Sequence, residues 1–146
     1  MSARQLLGLS FGFLVCISGC AGVGVDSDRD GVFVHISKGP ESPHEVLMAL
    51  AMANLMRESG RDVLVYCDIR AIGVVLADAP DLNYKHFESS HAQIRKLIDS
   101  GATVCACPGC LKAADKTPED LMEGVQVADK DRFFGFTEGR ILTIDY

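Results

Sequence analysis

Three cysteines lie close together in the stretch ATVCACPGCLKAAD, at Cys105, Cys107 and Cys110. A thiolate is both a nucleophile and a ligand for soft metal ions, so this cluster could serve sulfur transfer, disulfide exchange or metal binding. In a strand, Cys105 and Cys107 would face the same side, and one further turn would bring Cys110 near them. A helix opened by Gly109, with Pro108 suited to its start, would hold Cys107 at the positive helix end, which favours the thiolate.

Three interpretations of the cluster stay open at this point. In the first, Cys107 attacks a sulfane sulfur donor and holds a persulfide, which Cys110 then attacks to form a disulfide and release sulfide, with no cofactor required. In the second, Cys105, Cys107 and Cys110 bind Cu(I) or Zn, and Cys67 adds a fourth ligand if the strand ends adjoin. In the third, Cys105 is a packed apolar residue, and Cys107 and Cys110 form a structural disulfide in a non-catalytic interaction module.

The cluster must be positioned by the strand that precedes it. Short β-branched runs bounded by turn residues predict strands at residues 31–37, 62–67, 102–106, 125–128 and 140–146. The cluster follows the third of these strands, and Cys67 ends the second. Ligands and chemistry collect at the carboxyl ends of parallel strands, so both positions are candidates for a site.

Helical patterns alternate with these strands. One helix is expected over about residues 43–59, opened by a capping box at Ser42 and ended by Gly60. Another is expected over about residues 91–99, with Ser90 as its cap, and a short one from residue 117. This alternation predicts a doubly wound, flavodoxin-like α/β domain with a mostly parallel sheet of about five strands.

The first twenty residues have the pattern of an export signal. The apolar run LLGLSFGFLVCIS is shorter than a membrane span, and Ile17-Ser-Gly-Cys20 resembles the lipobox of bacterial lipoproteins, where the sulfur of the cysteine carries a lipid. We therefore expect a signal peptide at residues 1–19, a lipidated Cys20 with an acidic tether at residues 20–30, and one domain at residues 31–146. The protein would be anchored on the periplasmic side of the cell envelope, where disulfides can persist.

The charge and the remaining motifs argue against several function classes. A net charge of −6, without a basic cluster that interleaves aromatic residues, argues against nucleic acid as a partner. Residues 26–31 copy the first half of an EF-hand loop, but Ser37 stands where that loop needs a bidentate glutamate, which favours an acidic linker. His35 lies within the first strand and is expected to be buried and hydrogen-bonded rather than a metal ligand.

Two segments carry a resemblance to a known family. HISKGPESPHEVLMALAMANLMRESGRDVLVYCD and GATVCACPGCLKAADKTPEDLMEGVQVAD, with the Ile-Gly-Val segment between them, resemble the DsrE/DsrF-like family of sulfur-relay proteins. The resemblance implies a three-layer α/β/α fold, assembly as a trimer or hexamer, and a persulfide carried at Cys107. Sulfur-relay members typically follow their cysteine with a helix bearing paired arginines, and this chain has Lys112 there.

These observations lead to one expected function and two alternatives. We expect a lipid-anchored extracytoplasmic sulfur-handling protein, a persulfide carrier or a sulfurtransferase-like enzyme, that uses Cys107 with Cys110 and is supported by Lys112. Its partners would be sulfur donor and acceptor proteins or small sulfane-sulfur compounds, and copies of itself. The alternatives are a lipoprotein that binds a soft metal through Cys105, Cys107, Cys110 and Cys67, and an oligomeric interaction module.

Overall fold

A parallel sheet of five strands forms the centre of the protein. The structure, a computed structural model, describes residues 31–136 and 141–146. The strand order is β4-β3-β2-β1-β5, and every neighbouring pair is parallel. The expected signal peptide and tether, residues 1–30, lie outside the described residues. The strands are β1 (Gly31–Ile36), β2 (Asp62–Cys67), β3 (Thr103–Ala106), β4 (Gln126–Val127) and β5 (Ile141–Asp145).

The helices lie on both faces of this sheet. Two long helices pack on one face, with α1 against β1 and β2 and α2 against β3. The shorter α4 lies on the opposite face, where the ring of Phe133 contacts the rings of Phe33 and Tyr66. This arrangement confirms the expected α/β/α class. The helices are α1 (Pro43–Glu58), α2 (Ser90–Asp99), α3 (Pro108–Ala113) and α4 (Lys130–Gly135), and 3₁₀ helices span Ile69–Val74 and Pro118–Asp120.

The alternation of side chains along each strand separates a core face from a second face. Val32, Val34 and Ile36 of β1 belong to the main hydrophobic core, as do Val63 and Val65 of β2. Every second residue of a strand points the other way, toward the layer that contains α4. On that second face β1 and β2 are less completely covered, because Phe33, His35 and Tyr66 are only partly buried.

Two predicted helix caps differ from the structure. Ser42 stands at the N-cap of α1, but its side chain accepts no capping hydrogen bond. The second helix is capped by Ser89, whose hydroxyl accepts from the backbone N–H of Ala92, and not by Ser90. The hydroxyl of Ser90 is instead buried against the preceding loop, where it accepts from the N–H of Leu82. A buried hydroxyl with a tertiary partner no longer has to cap its own helix.

The ends of the long helices follow the sequence more closely. Gly60 follows α1 with φ +85°, and Gly101 follows α2 with φ +83°. This left-handed region favours glycine because it lacks a Cβ, so these positions end both helices as their sequence indicates. In the part of the chain that the structure describes, no helix is both long enough and apolar enough to cross a membrane.

Candidate functional site

The carboxyl ends of β2 and β3 are neighbours in the sheet, and the cysteine cluster lies there. Tyr66 of β2 pairs with Cys105 of β3, and Cys67 pairs with Ala106. The backbone N–H of Cys107 donates to the carbonyl of Cys67 over 2.9 Å, which fixes the chain where β3 ends. Cys107 is then the N-cap residue of α3, which begins at Pro108 rather than at Gly109, and this helix carries Cys110.

Cys107 is set apart from the other thiols by its hydrogen bonds. Partial burial would raise the pKa of this thiol, but the nearby Tyr66 hydroxyl and the backbone N–H groups of Cys110 and Gly109 at the start of α3 lower it, and the net shift is downward. Donors that stabilise the charged form lower the pKa of an acid. Cys107 therefore has more nucleophilic thiolate at neutral pH than an ordinary cysteine has.

Cys110 is the partner of this thiolate, and its own pKa is shifted in the opposite direction, upward. A backbone hydrogen bond at Ile69 would lower the pKa of the Cys110 thiol, but burial and its hydrogen bond to Cys107 raise it. Both cysteines are free thiols. The site therefore holds an asymmetric pair, in which Cys107 favours the thiolate and Cys110 favours the protonated form.

Among the described residues, Cys67 and Cys105 are two further thiols, buried on opposite faces of the sheet. Cys67 belongs to the main core with Val63 and Val65, and burial raises its pKa to about 12. Cys105 is 1% exposed and lies on the other face, where burial raises its pKa although the nearby Arg132 guanidinium opposes the change. Both thiols are poor nucleophiles at neutral pH because each is held in the protonated form.

The structure does not gather all the residues that the sequence singled out. Cys105, Cys107 and Cys110 lie at one strand end, but Cys67 points into the core on the far side of the sheet. Lys112 is an exposed side chain in the last turn of α3. Across residues 31–136 and 141–146, no three His, Cys, Asp or Glu side chains form a group that could hold a metal ion.

A histidine with two carboxylates lies at the ends of the neighbouring strands. His35 Nε2 lies 3.0 Å from Asp68 Oδ1, and His35 Nδ1 lies 2.6 Å from Asp145 Oδ1. Desolvation would lower the pKa of His35, but the two carboxylates outweigh it and raise the pKa. The side chain is 29% exposed, so His35 is paired as expected but only partly buried.

An aromatic pocket adjoins the reactive thiol on the α4 side. It has a volume of about 210 Å³ and is lined by Tyr66 and Pro108 together with Phe133 and Phe134 of α4. The rings of Tyr66 and Phe133 meet edge to face with centroids 5.3 Å apart. The same Tyr66 side chain therefore lowers the pKa of Cys107 through its hydroxyl and forms a pocket wall with its ring.

Sequence reasoning missed Tyr66, Asp68 and α4. Tyr66 is the residue before the strand-terminal Cys67, on the face that Cys105 shares, so the β2–β3 pairing would have indicated it. For α4 the signal was Asp129, whose side chain accepts from the backbone N–H of Arg132 as an N-cap. Asp68 follows directly after a predicted strand, in the position where polar site residues are common.

The comparisons with known proteins agree with this architecture. Among solved structures, the fold is similar to a protein of unknown function from Methanobacterium thermoautotrophicum, with a TM-score of 0.59 and 23% identity over 82% of this chain and all of that one. It is also similar to the ychN protein from E. coli, with a TM-score of 0.62 and 16% identity over 80% of this chain and 99% of that one. None of the curated proteins matches the chain significantly. The model of the DsrE/DsrF-like family matches residues 30–138, so the chain belongs to the DsrE/DsrF-like family.

Proposed function

We propose that the protein handles sulfane sulfur. In this proposal Cys107 is the nucleophile that accepts the sulfur atom, and Cys110 is the residue that resolves the Cys107 persulfide. One observation supports this most strongly: Cys107 stands at the end of β3 as the N-cap residue of α3, beside Tyr66 and Cys110, and its pKa is lowered. Membership of the DsrE/DsrF-like family supports the same class of chemistry at a coarser level.

The first step is the transfer of one sulfur atom to Cys107. With thiosulfate as donor, the Cys107 thiolate attacks the outer sulfur, a sulfur–sulfur bond forms, and the bond to the sulfonate breaks with its electron pair leaving as sulfite. The product is a Cys107 persulfide, and no electrons enter from outside. The hydrogen-bond donors that stabilise the Cys107 thiolate, Tyr66 among them, would also stabilise the persulfide anion.

The second step depends on what meets the persulfide first. An acceptor thiolate can attack the outer sulfur, which carries the atom away and restores the Cys107 thiolate. Cys110 can instead lose its proton and attack the Cys107 sulfur, which forms a disulfide and releases sulfide. A dithiol reductant then resets the pair. The raised pKa of Cys110 in the resting pair disfavours its thiolate near neutral pH, which favours transfer to an acceptor over internal release.

Intact mass spectrometry tests the proposal. The reduced full chain is incubated with thiosulfate or polysulfide, and the expected product carries the mass of additional sulfur. This adduct should be absent from Cys107→Ser and present in Cys105→Ser, since Cys105 is buried on the sheet face and is not the nucleophile. A chain that takes up no sulfur but retains stoichiometric Cu(I), and loses it in Cys105→Ser, would replace sulfur transfer with soft-metal binding.

We also propose that the protein is anchored by lipid outside the cytoplasm. The support is the order of sequence features: a charged start, an apolar run and Ile17-Ser-Gly-Cys20. On expression in a bacterium, the chain should fractionate with membranes and carry acyl chains on Cys20. Cys20→Ala should prevent acylation, and Cys16→Ala is the matched control. An unacylated Cys20 in the mature chain would contradict the anchor.

A homo-oligomer is the partner arrangement that we propose. Leu55 on α1 is 56% exposed and Leu142 on the edge strand β5 is 52% exposed, so each offers apolar surface that a second copy of the chain would cover. Light scattering after size exclusion should give a mass of several chains. Leu55→Glu or Leu142→Glu should lower that mass, and a monomer in the unmodified protein would contradict the assembly.

A further inference from the structure

The pocket beside Cys107 is placed to contact whatever is bonded to the incoming sulfur. Pro108, the next residue after Cys107, forms one wall, and Tyr66, which pairs with Cys105 where β2 and β3 end, forms another. A donor that presents its outer sulfur to Cys107 must direct the rest of the molecule away from β3. The neighbouring space on the α4 side is this pocket of about 210 Å³.

The walls of the pocket suit an apolar group. Three of them are aromatic: Tyr66, Phe133 and Phe134, with ring centroids 5.3 Å apart for the first pair and 5.8 Å for the second. Phe134 is 58% exposed, so its ring offers apolar surface that a ligand can cover. Lys130 and Asp129 also line the pocket and add one cationic and one anionic group. A mostly apolar cavity with a few polar groups is the usual form of a site for a small organic molecule.

Inorganic thiosulfate is a poor match to these walls. It is a strongly hydrated dianion, and moving it against aromatic surface removes water that the rings cannot replace. An organic donor has only its reactive end charged, so its apolar part can be buried against Tyr66 and Phe133. The pocket is small, and its volume fits a group of about the size of one aromatic ring rather than a whole folded partner.

We propose that this pocket selects organic sulfane-sulfur donors, persulfides R–S–SH or thiosulfonates R–SO₂–S⁻ in which R is aromatic or bulky and apolar. The inference rests on the proposed function and names its donor class. With a persulfide, the Cys107 thiolate bonds to the outer sulfur, and the sulfur–sulfur bond breaks to release the thiolate R–S⁻. With a thiosulfonate, the bond to the sulfonyl sulfur breaks and the sulfinate R–SO₂⁻ leaves. Neither step needs an oxidant or reductant.

A pair of thiosulfonates with different substituents tests the proposal on the full chain. The second-order rate constant for persulfide formation is measured with benzenethiosulfonate and with methanethiosulfonate, and the first constant is divided by the second. The same ratio measured with a small free thiol gives the difference in intrinsic reactivity between the two compounds. The protein should exceed that intrinsic ratio by roughly tenfold or more. Phe133→Ala and the exposed Phe134→Ala should each reduce the ratio, whereas Phe87→Ala, which removes a ring packed on His44 and His86 elsewhere, should not.

The outcomes separate this inference from the function on which it rests. If the protein gives the same ratio as the free thiol, or if both pocket variants keep the full ratio, the pocket does not select the donor and the inference is wrong, although sulfur transfer stands. If neither thiosulfonate nor thiosulfate adds sulfur to Cys107, the proposed function itself is wrong. Phe134→Ala keeps the test valid if Phe133→Ala fails to fold, because Phe134 is largely exposed.

Discussion

The hydroxyl of Tyr66, at the end of β2, lowers the pKa of the Cys107 thiol at the end of β3, and so couples the ends of two neighbouring strands. The same interaction, with burial as the larger cause, raises the pKa of Tyr66, which keeps the phenol protonated and able to donate. The reactivity of Cys107 therefore depends on a residue from a different strand as well as on its own helix.

Replacing Tyr66 tests this dependence. Tyr66→Phe keeps the ring that packs on Phe33 and Phe133 but removes the donor, so the pKa of Cys107 should rise. Alkylation by iodoacetamide should slow roughly tenfold at neutral pH and recover at high pH, because a hydrogen bond to a charged group is worth about 1.5–3 kcal/mol. Tyr84→Phe, away from the site, is the matched control. An unchanged pH profile in Tyr66→Phe would rule out the assigned role.

Replacing Cys110 should separate sulfur uptake from sulfide release. Cys110→Ser still lets Cys107 accept sulfur, but it removes the thiol that attacks the persulfide. We expect the persulfide to accumulate to one per chain and to persist, while the unmodified protein slowly releases sulfide and forms a disulfide. Sulfide detection and mass spectrometry follow the two products. Equal sulfide release from both proteins would show that Cys110 does not resolve the persulfide.

The His35 pair predicts a pH-dependent contribution to stability. The pKa of His35 is raised in the folded protein, because Asp68 and Asp145 outweigh desolvation. A raised pKa means that the folded state holds the proton more tightly. The stabilisation is therefore complete at a pH below the pKa of His35 in the unfolded chain, and it is lost as the pH rises through the pKa of His35 in the folded protein. The difference in unfolding free energy between the protein and His35→Gln should shrink by about 1 kcal/mol or less from about pH 6 to about pH 9.

Denaturation with urea at several pH values measures this difference. His86→Gln is the control, because His86 is exposed. A difference that grows with pH would have the wrong sign for a stabilised imidazolium. It would mean that desolvation, rather than the two carboxylates, governs His35.

The backbone at Ile69 predicts a substitution that does not destabilise. Ile69 has φ +46°, a region that β-branched residues rarely occupy, and its side chain is 64% exposed. Ile69→Gly should relieve about 1–2 kcal/mol of backbone strain, which is at least as large as the cost of about 0.5–1 kcal/mol from the added entropy of the unfolded chain. Ile69→Ala removes the side chain but keeps a Cβ, so it isolates the backbone effect. Greater stability of the alanine variant by urea denaturation would contradict the strain.

The strands and their order along the chain could be predicted from the sequence because their signals are local. Apolar β-branched runs between glycines indicated β1 and β2 almost to the residue, and Gly60 and Gly101 ended two helices in the predicted places. The helix caps were harder, because Ser89 and Ser90 are equally good candidates until the loop that buries Ser90 is known.

The composition of the site was only partly predictable. The position of Cys107 at a strand end and of Cys110 one turn later followed from spacing, but their opposite pKa shifts depend on Tyr66, Ile69 and burial. The contact of His35 with Asp145 joins residues far apart in the chain, so no local pattern indicates it. The pocket was missed because its wall is α4, a short helix with a weak sequence signal.

Site-resolved mass spectrometry of Cys110→Ser shows which cysteine accepts the sulfur atom. After incubation with a sulfane-sulfur donor, alkylation and digestion, we expect one additional sulfur on Cys107, with Cys67 and Cys105 unmodified because both are buried. Cys107→Ser should show no additional sulfur at any cysteine. Sulfur found on Cys105, or on no cysteine, would contradict the assignment of Cys107 as the sulfur-accepting nucleophile.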